Sequence, residues 1–386
     1  VGLLEAARMD GVRAVGGPVA RAAEVACELA LELLTLARLE ETRAERRLER
    51  RLMRLMRDEA GRRLTLAFTD QALRPTREER VAEQLKYLLR REGIPNYFSR
   101  WERLQLSAFR AVGTLAPGWV VPRVIDKLED EVARVTLPAQ EPELSRAIAK
   151  SNSRGARVNL NHLGEAILGD AEAKKRHATY LKTLAREDIA AISIKVSSVV
   201  AQLEVLGWER ALAVLRERIG LVYREARARG DKLVTLDMEE YRDLELTFEL
   251  LSRLVMEDEH LQVHAGVVLQ AYLPDGAPML ERLVALSQRR LAAGGRRLRL
   301  RLVKGANLAM ERVDASLHGF VQAPYADKAD VDANFKRMLL MALEAARRGA
   351  LEVGVGSHNL FDLSFAMTLR AMYGLDREVG FEMLEG

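Results

Sequence analysis

At 386 residues the chain can hold two domains, or one barrel with an appendage. Its 60 basic and 56 acidic residues leave a net charge of only +4, which implies no nucleic-acid partner, and 48% hydrophobic content allows a sizeable core. A lone cysteine, Cys27, excludes an intrachain disulfide and a cysteine-based zinc site, and no apolar run reaches the about 18 residues of a membrane-spanning helix.

Residues 1–150 read as an all-helical arm or domain. Leu and Ala recur at three and four spacing through 19–60, 78–93 and 99–113, with breaks at Pro75-Thr76, Gly93 to Asn96 and Pro117-Gly118. Cys27 falls in an Ala/Leu-rich stretch and is expected to be a small buried residue in a reducing compartment. The Arg-rich run 43–57 is interleaved with Glu and Leu at helical spacing, as on a solvated helix face. No titratable cluster of catalytic pattern appears here, so the region reads as scaffold. Pro138 to Pro142 marks the boundary.

From 151 to 386 the texture changes to alternating strands and helices. Strands are predicted at 157–163, 191–198, 233–239, 265–272, 298–304, 351–357 and 378–383, with helices near 171–186, 207–229, 241–256, 277–293, 330–348 and 360–373. Such a repeat predicts an α/β fold, a (β/α)8 TIM-like barrel with seven of its eight units in the chain. No GxGxxG follows the first strand, which argues against a dinucleotide-binding sheet. The chain begins with Val and stops at Glu385-Gly386 after a strand-like run, and is expected to be a piece of a longer protein.

In a barrel of this kind the chemistry gathers at the C-terminal strand ends. Those ends here carry Asn161-His162, Lys195, Asp237-Met238, Gln270, Arg301 with Lys304-Gly305, and Ser357-His358. Cations beside a glycine suit a phosphate or carboxylate, although a solvated edge strand ending in a turn has the same sequence. Lys195 reads as a buried functional amine or a snorkelling lysine, and Asp237 as a helix cap or the partner of Lys195 or Arg301. Gln270 reads as a site residue or a backbone satisfier. His358 taken alone reads as a core histidine. No HExxH and no serine nucleophile elbow occurs, so no catalytic metal is expected.

Seven strings carry a resemblance: LNHLGEA at 160–166, IKVS at 194–197, LDMEE at 236–240, LQAYL at 269–273, RLVKGA at 301–306, SHN at 357–359 and FEMLEG at 381–386. In this order, one per strand, they resemble the proline dehydrogenase family, more closely that domain of the bifunctional proline utilization A proteins. The resemblance implies FAD-dependent oxidation of L-proline to Δ1-pyrroline-5-carboxylate, the first step of proline catabolism, with electrons passed to a quinone at the membrane surface. It implies Lys195 at the substrate carboxylate, Asp237 in the surrounding charge network, and Arg301 beside the flavin. Met238, Gln270, Val303, Lys304, Gly305, Ala306, Ser357 and His358 would contact FAD. It further implies a cytoplasmic protein, peripheral to the inner membrane face, forming homo-oligomers. In the full protein an L-glutamate gamma-semialdehyde dehydrogenase domain would follow.

The sequence departs from the family at Asn307, where a Tyr is usual, and at Asn161, where an Asp is common. The family's paired carboxylate-binding arginines lie beyond Gly386, so the chain as given is expected to bind proline poorly and FAD loosely. Two other readings remain open: a lyase or aldolase using Lys195 as a Schiff-base amine, and an inactive barrel fragment serving as a dimerisation scaffold.

Overall fold

The computed structural model describes residues 17–67, 77–112, 118, 141–162, 167, 169–201 and 207–384. The chain divides into two compact units, Val1–Leu33 with Ala139–Met383, and Leu34–Pro138 with Leu384–Gly386. The division falls inside the first helix, α1 (Gly17–Glu40).

The smaller unit is helical, with α2 (Arg43–Arg57), α3 (Glu59–Ala67), α4 (Glu78–Arg91) and α5 (Arg100–Val112). Thr42 and Glu45 close a reciprocal capping box that satisfies otherwise orphaned amides at the start of α2. Asp58 between α2 and α3 accepts amides from Gly61, Asn96 and Tyr97, at 3.1, 2.7 and 3.2 Å, which ties a distant turn to this helix junction. Leu64, Val81, Ala82, Leu85, Leu88 and Leu89 form its buried core. The arginines of α2 whose side chains are described are exposed apart from half-buried Arg51, in keeping with a solvated face.

The larger unit is a parallel α/β barrel sheet. Its strands are β1 (Asn159–Asn161), β2 (Ala191–Lys195), β3 (Leu233–Asp237), β4 (Ala265–Gln270), β5 (Leu298–Val303), β6 (Leu351–Gly356) and β7 (Val379–Glu382). Each of the seven pairs in parallel with its sequence neighbours, in the order β1 to β7. Every predicted strand is present, trimmed at its ends. β2 gives way to a 3₁₀ turn at Val196–Ser198. The crossovers are α7 (Asp170–Leu184), α8 (Trp208–Ala228), α9 (Leu244–Leu254), α10 (Gly276–Ala292), α12 (Lys328–Arg347) and α13 (Leu360–Tyr373). One further helix, α11 (Leu308–His318), stands between β5 and α12 and buries none of its residues. The fold class is therefore α/β, a (β/α)8-type barrel with seven strands present and helices preceding it.

Strand sequence decides which side chains face inward. β5 alternates strictly, with Leu298, Leu300 and Leu302 buried and Arg299, Arg301 and Val303 half-buried. Two-residue periodicity puts the three leucines on one face, in the hydrophobic core, and the two arginines on the other. β5 hydrogen-bonds to both β4 and β6, so the solvated-edge reading of this strand does not hold. Arg301 on β5 bonds Ser193 on β2 at 3.0 Å. Three strand spacings of about 4.8 Å would keep these residues apart in a flat sheet, so the sheet must curl toward closure.

The first half of α1 and α6 (Glu143–Ser153) pack on this unit through Ala22, Ala26 and Ile148. Cys27 is exposed rather than buried, because the inward stripe of α1 is Ala22, Val25, Ala26 and Leu29 and the helical step turns the next residue outward.

Candidate active site

At the C-terminal strand ends five residues from five strands meet in one polar cluster. Asp237, at the end of β3, accepts from Asn161 Nδ2 at 2.6 Å and from Arg301 Nη1 at 2.9 Å. Arg301 Nη1 also donates to Ser193 Oγ at 3.0 Å, and its Nε donates to Glu382 Oε2 at 2.5 Å. Arg299, one turn of the pleat deeper, donates from Nη2 to Glu382 Oε1 at 2.9 Å. Burial raises the Asp237 carboxyl above its ordinary range, against the pull of Arg301 and Lys195. Burial acts on Glu382 in the same direction, but Arg301 and Arg299 outweigh it and hold that carboxyl below the ordinary range.

The two alternatives for Asp237 are resolved by these contacts: it pairs with Arg301, and it ends β3 without capping a helix. Lys195, beside Asp237 in the β2–β3 register, is paired with Glu239 Oε1 at 2.5 Å. Asn307 donates to the Glu239 carbonyl at 3.2 Å, so the residue that departs from the family pattern helps fix the β3 end. Asn161, the other departure, donates where an Asp would have added a second carboxylate beside Asp237.

On β4 the Gln270 amide donates to the Met238 carbonyl at 3.0 Å, and both side chains are buried. Gln270 Oε1 and the neighbouring buried Tyr272 hydroxyl face each other with poor hydrogen-bond alignment and have no other partner among the described residues. Gly305, between β5 and α11, has φ +120, and a Cβ there would lie 2.4 Å from the Tyr272 ring. The backbone is bare at this turn because no side chain fits. The Tyr272 ring covers the bare Cα of Gly305, so the feature that suits a planar, hydrogen-bonding cofactor such as FAD is the buried Gln270 oxygen, whose Tyr272 neighbour is poorly aligned. The residues present fit that group.

Lys304 turns away from the Arg301 cluster. It pairs with Asp332 on α12 and, at 2.5 Å, with buried Asp362 on α13. Burial opposes its charge, yet Asp332 and Asp362 prevail and keep its pKa above the ordinary lysine value. Lys336 also reaches Asp362, at 3.2 Å, so two lysines share one buried carboxylate. Ser357 lies half-buried and His358 exposed in the turn from β6 to α13, so His358 is not the core histidine that it resembled when taken alone. Ser357 Oγ accepts from the Asn359 amide at 3.1 Å, and Asn359 Oδ1 caps α13 by accepting from the Asp362 amide at 3.1 Å. Val303 is half-buried and Ala306 exposed on either side of the Lys304-Gly305 turn.

Glu382, Ser193, Glu239, Asp332 and Asp362 belong to this arrangement and carried no role in the sequence reading. Glu382 lay inside the FEMLEG string, and only the alternation of β7 against the arginines of β5 could have singled it out. Asp332 and Asp362 are on crossover helices and left no local signal.

The fold and this charged mouth define a (β/α)8-type barrel with a polar site at its strand ends, and comparison narrows the class. The proline dehydrogenase family model matches residues 144–386. The chain therefore belongs to the proline dehydrogenase family of enzymes. It is 25% identical over 244 residues to proline dehydrogenase 2 of Bacillus subtilis, covering 62% of this chain and 69% of that protein. It is 30% identical over 204 residues to the proline dehydrogenase of Deinococcus radiodurans, covering 52% and 57%. Among solved structures, proline utilization A of Corynebacterium freiburgense is 43% identical with a TM-score of 0.64, over 67% of this chain and 27% of that one. Proline utilization A of Bdellovibrio bacteriovorus, at 21% identity and TM-score 0.78 over 94% of this chain and 37% of that one, shares the fold. The chain thus spans about two thirds of the Bacillus protein and about a quarter of the Corynebacterium one.

Proposed function

We propose that this barrel oxidises L-proline to Δ1-pyrroline-5-carboxylate using FAD held at its C-terminal mouth. The observation that carries the reading is the Asp237–Arg301–Glu382 cluster at the strand ends of a chain that belongs to the proline dehydrogenase family. FAD supplies the acceptor for a hydride taken from the ring carbon beside nitrogen. The chain supplies orientation and charge. Arg301, held from two sides, places a fixed cation where negative charge gathers on reduction. Lys195 exchanges its Glu239 partner for the substrate carboxylate, a charge-assisted contact of the same kind. That pairing supports a carboxylate-binding lysine over a Schiff-base amine. Gln270 offers its oxygen, poorly aligned with the Tyr272 hydroxyl, to an N–H donor of the cofactor. Met238, Val303, Lys304, Gly305, Ala306, Ser357 and His358 line the remainder of the cofactor site in this reading.

The same reading takes residues 1–150 as a helical arm and 151–386 as the catalytic barrel, with a quinone as electron acceptor at a membrane surface. No described helix is long and apolar enough to cross a membrane. An L-glutamate gamma-semialdehyde dehydrogenase domain in the full protein, a homo-oligomeric state and a cytoplasmic, membrane-peripheral location belong to the proposal as well. The test is product trapping: the FAD-supplemented protein, given L-proline and a soluble quinone, should form an o-aminobenzaldehyde adduct of the cyclic imine. Absence of the adduct, together with a borohydride-trapped carbonyl on Lys195, would replace this reading with the lyase one.

A further inference from the structure

Glu382 sits on β7, and its one carboxylate spans two arginines of β5, Arg301 through Nε at 2.5 Å and Arg299 through Nη2 at 2.9 Å. The Nη1 group of Arg301 meets Asp237 and Ser193 from β3 and β2. The guanidinium plane is therefore gripped by its Nε edge from one strand and by an Nη group from two others. The intervening strand makes room. Gly354 on β6 lies opposite Arg301 in register, and a Cβ there would stand 2.0 Å from Glu382 Oε1. Gly354 itself pairs with Gly380 on β7, whose own Cβ would approach Arg299 Nη2 at 3.5 Å. Two glycines side by side leave the hollow through which the Glu382 carboxylate reaches β5.

We propose that Glu382 is a positioning residue: it fixes the orientation of Arg301 beside the reacting ring, resting on the function proposed above. Asp237 already supplies Arg301 with a counter-charge, so what Glu382 adds is reach and direction. Arg299 keeps Glu352 as a second carboxylate, at 3.8 Å, when Glu382 is changed.

Reach and charge separate cleanly in two variants. Glu382→Gln keeps the length and an acceptor for Arg301 Nε but loses the charge; Glu382→Asp keeps the charge and falls short. Positioning predicts that Glu382→Gln reduces the flavin with proline within about threefold of the wild-type rate, while Glu382→Asp and Glu382→Ala are slowed about tenfold or more with KM changing less. The double variant Glu382→Ala/Arg301→Met should be no slower than Arg301→Met alone, because the effect passes through Arg301. FAD binding, followed by quenching of flavin fluorescence, should weaken about fivefold in Glu382→Ala and hold in Glu382→Gln. The opposite order, with Asp restoring and Gln failing, would overturn the inference, as would additive losses in the double variant. A wild-type protein that binds FAD but is not reduced by proline would instead defeat the proposed function, and the fluorescence series would still decide the role of Glu382.

Discussion

Gly305 makes the sharpest demand of any single position at the mouth. Its φ of +120 is strained for any L side chain, and a Cβ would press into the Tyr272 ring at 2.4 to 2.8 Å. Gly305→Ala should therefore cost about 3 kcal/mol in a denaturant unfolding measurement and weaken FAD binding with it. Asp243, in the 3₁₀ turn after β3, makes a different demand. Burial, aided by Glu240, pushes its carboxyl from 3.8 up to about 6. The folded state thus favours the protonated form, and the stability this gives is present below the unfolded pKa and lost as pH rises through about 6. Asp243→Asn should be neutral near pH 4 and more stable than wild type by about 2 kcal/mol at pH 7, in parallel unfolding titrations. Equal stability differences at both pH values would show that Asp243 is not held protonated by its surroundings.

Between elements, the Lys304 salt cluster ties the end of β5 to α12 and α13. Asp362 is 2% exposed and shares Lys304 and Lys336. Lys304→Met should destabilise the barrel by about 2 kcal/mol, because a buried carboxylate loses one of its two cations, and Lys304→Met/Asp362→Asn should recover part of that loss. Melting curves of the pair check this, and losses that simply add would contradict it. Much of this level was legible in advance. The seven strands announced themselves through Val, Ile and Leu runs and β5 through its Leu/Arg alternation, since a period of two survives without any knowledge of neighbours. What did not show was cross-strand partnership. Lys195 takes Glu239 while Asp237 takes Arg301, a choice made by the curl of the sheet. Glu382 became meaningful only when β7 came to lie two strands from β5. α11 went unread because βα alternation asks for a single helix between β5 and β6, and this insertion has no fully buried residue.

At the scale of the molecule, the core and the chemistry occupy opposite faces of the same strands. Leu298, Leu300 and Leu302 anchor β5 in the hydrophobic core, which leaves Arg299 and Arg301 no direction but inward, where Glu382, Glu352, Asp237 and Ser193 meet them. A barrel interior organised by charge is costly unless every charge is paired, and pairing of this kind holds groups in single orientations. In the function proposed above, this interior orients L-proline against FAD. The most direct measurement is the anaerobic visible spectrum of the FAD-supplemented protein as L-proline is raised to high concentration. The oxidised flavin band should fall progressively, and Arg301→Met should abolish that loss. A band that L-proline leaves intact, while dithionite removes it from the same sample, would contradict proline oxidation at this site.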